Sequence, residues 1–327
     1  MSRKRPRDLS VPDTEQILTV GPEEAGQRLD RFLASRLAWR TRSGLRDLFE
    51  EGRIDTGDRP ARRSLRVREG DVIRISIPPP PVAPDPGAIP LHVIYEDEEI
   101  VALDKQAGVV VHPVGRHRWN TLINALHHRY RHADPERDVV PRLVHRIDQL
   151  TSGVLLVAKT DHARIELGRQ FEAREVDKHY LALTDGAPDG DAGEIDAPLG
   201  PARGAPIRIM QGVRPDVGLP SRTRWEVVER YASPAGGARA LIRCEPLTGR
   251  THQIRVHLAH AGWPILCDHL YGDAEPIRDE AGNLLLDRFA LHARRLRFTH
   301  PVTGERMELE SPLPADMCAT RAWLRHR

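Results

Sequence analysis

The sequence is poor in lysine, cysteine and aromatic residues, and it has no long apolar run. Only four of its 49 basic residues are lysines, so arginine carries nearly all of the positive charge. Three widely separated cysteines exclude a disulfide framework and a cysteine zinc cluster, and they favour a reducing compartment. No run approaches the roughly 18 apolar residues that span a bilayer, and the basic N-terminus lacks the apolar stretch of a secretory signal. We therefore expect a cytoplasmic protein without a membrane segment.

A chain of 327 residues is too long for one ordinary core, and its composition divides it. We expect a basic disordered tail over 1–18, a small module over 19–77, a proline-rich linker over 78–90 and a large domain over 91–327. The net charge is only +2, so the total charge does not indicate a nucleic-acid partner. The distribution of charge along the chain must decide.

The small module combines two short helices with short strands. Apolar spacing predicts one helix from Gly26 to Ala38, and Ser43 is a candidate N-cap for a second that stops at Gly52. Residues 27–74 contain thirteen arginines and eight acidic residues, a net of +5. A phosphate-binding face is one interpretation, and a solvated charged surface is the other. The arginines clustered at the helix junction are Arg36, Arg40, Arg42 and Arg46.

The large domain alternates many strands with few helices, which predicts an α+β fold on a mixed or antiparallel sheet. Its most informative stretch is Leu143–Thr160, in which Asp148 precedes the buried-strand pattern Val154–Ala158. A carboxylate at such a position is structural as often as it is catalytic. There is no glycine-rich phosphate loop and no dinucleotide fingerprint, and Ser152 does not lie in a nucleophile elbow.

Three histidines near the C-terminal part of this domain raise the question of a metal. His252 and His257 are five residues apart, about 140° around a helix, and only His257 and His260 share a face. We therefore expect no metal and no other cofactor. The remaining possibility is that Asp148, Arg255 and Tyr180 converge, with the arginine keeping the carboxylate ionised and the tyrosine stacking on a flat base. The residues alone leave this undecided.

A set of motifs in one order resembles the RluA-type pseudouridine synthases, and the resemblance covers nearly all of residues 91–310. Gln106 and Ile147 replace the family's usual proline and leucine, and Gln149-Leu150 replaces a commonly charged pair. The motifs are His145-Arg146-Ile147-Asp148 with Thr151-Ser152-Gly153, Asp104–Gly108, Lys178-His179-Tyr180, Gly249–His257, Leu270-Tyr271-Gly272 and His300-Pro301.

The module in turn resembles the S4 RNA-binding domain, with a departure at Asp55-Thr56-Gly57. Its resemblance rests on Gly26–Asp30, Arg42-Ser43, Gly52-Arg53-Ile54 and Glu69–Ile73. Together the two resemblances imply a large mixed or antiparallel catalytic domain preceded by a small domain of two helices and a sheet.

The resemblance implies that Asp148 is the catalytic aspartate, Arg255 its basic partner and Tyr180 the residue that packs on uracil. Arg146 is implied to assist base flipping. We expect further RNA contacts from His145, Thr151, Lys178, Arg250, His252, Arg36, Arg42 and Arg46.

The expected activity is isomerisation of specific uridines to pseudouridine in RNA, with ribosomal RNA of the large subunit favoured because S4-like modules are common in the family's ribosomal members. Three alternatives stay open. They are a tRNA pseudouridine synthase, a non-catalytic RNA-binding or ribosome-assembly factor, and a carboxylate-based nucleoside hydrolase. We expect a monomer. Whether Asp148 attacks C1′ of the ribose or C6 of the base is open.

Overall fold

A computed structural model describes residues 14–37, 42–77, 85–113, 119–132, 139–205, 207, 209–233 and 237–326. The chain forms two compact units: residues 1–89 with 112–129, and residues 90–111 with 130–327. The sequence predicts one continuous large domain from residue 91, whereas the structure groups 112–129 with the N-terminal unit. No described helix has the length and apolarity needed to cross a membrane.

The N-terminal unit contains a three-stranded antiparallel sheet and two short helices. Strands β1 (Glu15–Thr19), β3 (Val72–Ser76) and β2 (Ile54–Asp55) pair in the order β1-β3-β2. Since β1 includes residues 15–18, the expected tail is shorter than predicted, and residues 1–13 lie outside the described range. Helices α1 (Leu29–Arg36) and α2 (Arg42–Glu50) accompany this sheet.

Apolar residues three and four positions apart explain why α1 forms and which side it buries. Leu29, Phe32 and Leu33 are completely buried, and they pack with Ile73 and Ile75 of β3 in one core. Helix α2 already begins at Arg42, so Ser43 lies within its first turn rather than capping it as predicted.

The predicted linker is partly folded where the structure describes it. Residues 78–84 lie outside the described range, but Pro86–Ala88 forms a 3-10 turn that the Asp85 side chain caps through the amide of Gly87. This turn packs on helix α3 (Leu122–Arg129). The linker is therefore more ordered at this end than an extended spacer.

The C-terminal unit is built on one ten-stranded sheet, which confirms the predicted mixed, mostly antiparallel architecture. Its main order is β4-β5-β7-β16-β8-β13-β12-β9, with β17 added to β16 and β6 to β7. Its strands are β4 (Val93–Glu96), β5 (Ile100–Lys105), β6 (Arg142–Leu143), β7 (Ser152–Ala158), β8 (Asp177–Asp185), β9 (Ala192–Asp196), β12 (Arg222–Ser233), β13 (Gly237–Pro246), β16 (Leu291–Thr299) and β17 (Arg306–Glu310).

Within its described residues, this unit also contains two small hairpins and three helices. The hairpins are β10 (Leu199–Pro201) with β11 (Gln211–Val213) and β14 (Ile277–Arg278) with β15 (Leu284–Leu286). The helices are α4 (Asp161–Glu172), α5 (Gln253–His260) and α6 (Ala315–Leu324). Thr160 caps α4, because its hydroxyl accepts the amide of Ala163.

One parallel pairing sits at the centre of the otherwise antiparallel sheet and determines where the catalytic motif lies. Ser152 and Gly153 of β7 pair with His292 and Ala293 of β16. Gly153 has a φ of +111°, and a Cβ there would lie 2.2 Å from the carbonyl oxygen of Ala293. Only glycine allows this approach. On the other side of β16, Ala293 pairs with Tyr180 of β8, so the motif strand and the Tyr180 strand flank the same central strand.

Candidate active site

The predicted catalytic residues line one cavity of about 650 Å³ in the C-terminal unit. It is bounded by the turn before β7, the end of α4, strand β8 and the segment leading into α5. Of the predicted site residues, those that line it are His145, Arg146, Asp148, Thr151, Lys178, Tyr180, Arg250, His252 and Arg255. The structure therefore brings together residues that are more than a hundred positions apart in the chain.

Asp148 and Arg255 form the central contact. Nη1 of Arg255 donates to Oδ2 of Asp148 at 3.3 Å. The Arg255 side chain is 3% exposed and that of Asp148 is 24% exposed, so the carboxylate faces the cavity while its partner is buried. The structure therefore shows the contact between Asp148 and Arg255 that the sequence alone left undecided.

Arg255 is also bound by Asp268, a residue to which the sequence analysis assigned no role. Its Nε and Nη2 each donate to a different carboxylate oxygen of Asp268 at 2.7 Å, and Asp268 is fully buried. The guanidinium also lies over the rings of Phe289, 4.0 Å away, and Tyr271, 5.0 Å away. Burial opposes the charge of Arg255, but the hydrogen bonds and charges of Asp268 and Asp148 raise its pKa overall. It stays a permanent cation.

Two buried basic side chains fix the turn that follows Asp148, and burial lowers the pKa of one of them, Lys105, to about 7. Nζ of Lys105 donates to the carbonyl of Gln149 at 2.8 Å and also to those of Gln106 and Val109. Nη1 of Arg288 donates to the carbonyl of Leu150 at 3.0 Å. Carbonyl groups bound by cations have little freedom to move. The turn that presents Asp148 is therefore rigidly attached to the sheet.

Tyr180 reaches the cavity from strand β8. It is half-buried, and burial together with the charge of Asp148 raises the pKa of its phenol. Tyr180 therefore stays neutral and presents an aromatic surface to the cavity near the carboxylate. This arrangement suits stacking on a planar base.

His252 occupies a strained position at the start of α5. Its φ of 55° is left-handed, which a residue with a side chain adopts at a cost. Its Nδ1 lies 2.7 Å from the hydroxyl of Tyr271, and that hydroxyl accepts the amide of Gln211 at 2.9 Å. Burial lowers the pKa of His252. His252 directly precedes α5, and its side chain makes no capping hydrogen bond.

His145 has a structural environment although the sequence indicates an RNA contact. Its Nε2 accepts the backbone amide of Leu156 at 2.9 Å, and its ring stacks on Phe171 with centroids 4.7 Å apart. Burial and the nearby charge of Lys178 lower its pKa to about 3. This imidazole is neutral near pH 7 and joins the motif to β7.

The other predicted RNA contacts fall into two environments. Arg146 is exposed at the cavity and Thr151 is buried in the turn, where its amide donates to the Asp148 carbonyl. In the N-terminal unit, Arg36 pairs with Glu24 at 2.7 Å and Arg46 with Glu50 at 2.5 Å. The side chain of Arg42 lies outside the described residues.

Sequence reasoning overlooked four supporting residues for different reasons. Lys105 and Tyr271 lie in motifs that it quoted, Asp104–Gly108 and Leu270–Gly272, but it assigned them no role. Asp268 and Arg288 belong to no motif that it quoted, so their roles appear only in three dimensions. Among the described residues, no group of three histidine, cysteine or acidic side chains is placed to hold a metal ion.

Comparison with known proteins identifies the class of this fold and site. A family model described as RNA pseudouridylate synthase matches residues 99–260. The solved structure of human RNA Pseudouridylate Synthase Domain Containing 1 has a TM-score of 0.53 and 28% identity, over 68% of this chain and 84% of that chain.

Relatives along nearly the whole chain make the assignment specific. Ribosomal large subunit pseudouridine synthase D of Nitrosomonas europaea is 40% identical over 92% of this chain and 86% of that protein. An uncharacterized RNA pseudouridine synthase of Chloroflexus aurantiacus is 41% identical over 93% and 92%. The chain belongs to the RNA pseudouridine synthase family, of the RluA type that its motifs resemble. It is an enzyme, an RNA isomerase.

Proposed function

We propose that the protein converts specific uridines of large-subunit ribosomal RNA to pseudouridine, with Asp148 as nucleophile. The observation that carries the proposal is the contact between Asp148 and Arg255, in which a cavity-facing carboxylate meets a buried, permanent cation at 3.3 Å. The choice of ribosomal RNA is supported by the name of the Nitrosomonas europaea relative. Both supports agree with the resemblance read from the sequence.

The reaction breaks the bond between N1 and C1′, turns the base and joins C5 to C1′. N1 gains a proton and C5 loses one, so substrate and product are isomers and no oxidant or second substrate is consumed. Asp148 attacks C1′ or adds to C6, and a carboxylate beside N1 and C5 also serves to move the proton. Arg255 binds Asp148 and holds its carboxylate at the cavity.

Surrounding residues bind the flipped nucleotide in this proposal. Tyr180 packs on uracil, and Arg146, exposed at the cavity, replaces the base in the RNA stack. Lys178, Arg250 and His252 contact the RNA from the cavity wall. His145 and Thr151 support the motif instead of touching RNA, because both are occupied within the protein.

The N-terminal unit supplies RNA affinity, as its resemblance to S4 domains implies. Ion pairs partly neutralise Arg36 and Arg46, while Arg62 and Arg63 have no salt bridge to a described residue and line a depression beside Phe49. An arginine pair next to an aromatic ring suits phosphate and base contacts. We therefore place the module's main RNA contact at Arg62 and Arg63, with Arg36, Arg42 and Arg46 contributing charge.

Asp148→Asn tests the assignment of the nucleophile. Tritium release from RNA containing 5-tritiated uridine should fall to background, while RNA affinity stays close to that of the unmodified protein. Asp189→Asn is the matched control, because Asp189 is exposed and does not line the cavity. Turnover by Asp148→Asn near the control's rate would overturn the mechanism.

Sequencing-based mapping of pseudouridine in a deletion strain tests the substrate. One or a few large-subunit positions should lose modification and regain it with the intact gene. Loss confined to tRNA would establish the tRNA alternative, and unchanged modification would favour a non-catalytic RNA-binding or assembly factor. Release of free uracil would indicate a hydrolase.

The oligomeric state and the compartment of the enzyme also belong to the proposed function. We propose a cytoplasmic monomer, and one chain suffices because every proposed catalytic group comes from one C-terminal unit. Light scattering should give the mass of a single 36.8 kDa chain. A dimer that persists at nanomolar concentration would contradict this part of the proposal.

A further inference from the structure

The cavity wall carries more positive charge than the proposed chemistry requires. Five cationic side chains and two carboxylates line it, a net of +3 with the histidines neutral. Arg255 is committed to Asp148 and Asp268. The remaining four are Arg146, Arg174, Lys178 and Arg250, and none forms a salt bridge with a described residue.

Arg250 has a polar atom without a partner. Its Nε–H is buried, and it is the one buried side-chain nitrogen or oxygen without a hydrogen-bond partner among the described residues. Leaving such a donor unpaired costs stability, so an unpaired donor in a cavity wall indicates a ligand. Because the donor is a cation, the ligand is an anion.

Lys178 lies beside the same segment. Its Nζ donates to the carbonyl of Thr248 at 3.3 Å, which places the ammonium two residues from Arg250 along the cavity wall. Burial and the charge of Arg174 lower the pKa of Lys178. Arg174, Lys178 and Arg250 all line the same cavity, where they form one basic cluster.

Arg174 has a backbone conformation that its type disfavours. Its φ is 62°, directly after the C-cap Ala173 of α4, a position where helices usually place glycine. The amide of Glu175 bonds back to the carbonyl of Gln170 there, so the backbone is that of an ordinary helix end. Glycine would adopt it without strain. Backbone preference therefore does not explain the choice of arginine at this position.

We infer that Arg174, Lys178 and Arg250 form a phosphate subsite that holds the backbone next to the flipped uridine. The inference rests on the proposed function, because it takes the occupant of the cavity to be a nucleotide of RNA. A nucleotide has a phosphate on each side of its ribose, so a base in the cavity brings one of them to the wall. Arginine binds phosphate through two parallel hydrogen bonds, and lysine adds a point charge.

This subsite positions the substrate rather than reacting with it. Phosphate contacts fix register and orientation without reading sequence. Holding the phosphate fixes the ribose, and the ribose carries the C1′ that the base must leave and rejoin. The subsite should therefore matter for RNA affinity more than for the rate once RNA is bound.

The decisive variant is Arg174→Gly, because it separates affinity from stability. It should raise the half-saturating concentration of a short RNA carrying the mapped uridine by about tenfold in single-turnover assays, with little change in the maximal rate. The slope of log affinity against log salt should fall by about 0.7 for the lost contact. The melting temperature should equal or exceed that of the unmodified protein.

Neutralising one linkage at a time in that RNA locates the contact. A methylphosphonate beside the target uridine should weaken binding to the wild-type protein, and it should cause a smaller further loss with Arg174→Gly, in which only Lys178 and Arg250 still contact the phosphate. Arg250→Gln should show its loss at the same or the adjacent linkage. Arg164→Ala is the control, since it removes an exposed arginine from α4 outside the cavity and should change nothing.

The outcomes separate the two hypotheses. The subsite would be overturned if Arg174→Gly bound RNA with the affinity and salt slope of the wild-type protein. It would also be overturned if the loss caused by Arg174→Gly and the loss caused by the methylphosphonate multiplied at every linkage. Either result would count even if Asp148→Asn is inactive. Turnover by Asp148→Asn would instead overturn the proposed function. Losses of Arg174→Gly and Arg250→Gln at distant linkages would show that the two arginines do not share one phosphate.

Discussion

At the scale of single residues, two aspartates bind the same guanidinium and differ in what surrounds them. The Asp268 side chain is 1% exposed and uses both oxygens on Arg255, whereas that of Asp148 is 24% exposed and receives one contact at 3.3 Å. A fully paired, buried carboxylate has no free lone pair directed at a substrate. Asp268 is therefore the support, and Asp148 is the group available for chemistry.

Removing the charge of Asp268 should damage both stability and activity. Asp268→Asn leaves Arg255 buried beside a neutral partner, which should lower the free energy of unfolding by about 3–5 kcal/mol. The same change frees Arg255 from its orientation, so the single-turnover rate should fall at least about tenfold.

Urea unfolding and tritium release measure these two effects. Asp216→Asn is the control, since Asp216 binds Arg214 in the same two-bond geometry but is 40% exposed and should cost at most about 1 kcal/mol. Equal losses in the two variants would contradict the supporting role of Asp268.

His145 should make stability depend on pH in a defined direction. Its folded pKa of about 3 lies below the ordinary 6.5, so the unfolded chain binds the proton more readily. The contribution is complete above pH 6.5 and is lost as the pH falls towards 3, by up to about 1.4 kcal/mol per unit.

His145→Gln lacks this contribution. The wild-type protein should exceed His145→Gln in free energy of unfolding at pH 7, and this excess should shrink by about 2–3 kcal/mol when the pH is lowered to 4.5. Urea titrations at several pH values provide the measurement. A constant difference would mean that His145 is not neutral and buried in the folded protein.

At the scale of elements, local residue patterns predicted individual strands but not which strands pair. The apolar run Val154–Ala158 lies in β7, as predicted. Helix α5 begins directly after His252, whose left-handed conformation no residue preference indicates. The pairing of β7 with β16 joins residues 140 positions apart, and no spacing rule specifies such a partner.

Gly153→Ala should disrupt the centre of the sheet. The added Cβ meets backbone atoms of Ala293 that cannot move without separating β7 from β16, and its φ is unfavourable as well. We expect a loss of at least about 4 kcal/mol or insoluble protein, with no isomerase activity.

Gly168→Ala is the matched control for this substitution. Gly168 lies inside α4 with nothing near its added Cβ, so alanine should stabilise by about 0.5–1 kcal/mol. Thermal unfolding distinguishes the two variants. A soluble, active Gly153→Ala protein would show that the close approach is not required.

At the scale of the whole molecule, positive charge is concentrated in the two regions that are proposed to bind RNA. The net of +2 conceals a cavity wall and a module that are both basic. Sequence correctly predicted a basic module but not which of its arginines are neutralised, because pairs such as Arg36 with Glu24 form only once the chain folds. Convergence of Asp148 with Arg255, 107 positions apart, was likewise beyond local reasoning and rested on the family resemblance.

Replacing both Arg62 and Arg63 by alanine should weaken the binding of ribosomal RNA without lowering the rate at which bound RNA reacts. The slope of log affinity against log salt should fall by about 1.4–1.8, the value for two phosphate contacts. Filter binding over a salt series measures it, and single-turnover assays at saturating RNA should give an unchanged rate.

The control removes two module arginines that ion pairs already occupy. Arg53 and Arg74 lie next to Glu51 and Glu15, so replacing both by alanine changes the net charge equally but should alter the slope less. Identical slopes for the two double variants would show that only total charge matters.

The parallel pairing of β7 with β16 also determines when the sheet that supports Asp148 is completed during synthesis. The strand that carries the motif is complete at Ala158, yet its neighbour spans Leu291–Thr299 and is itself held by Ser311, whose carbonyl accepts from His292 at 3.2 Å. A growing chain therefore has Asp148 without its supporting sheet until the residues up to Ser311 have emerged from the ribosome. Contacts between residues so far apart in the chain form slowly, because a long loop must close first. The catalytic motif is therefore assembled only after β16 has been synthesised and has paired with β7.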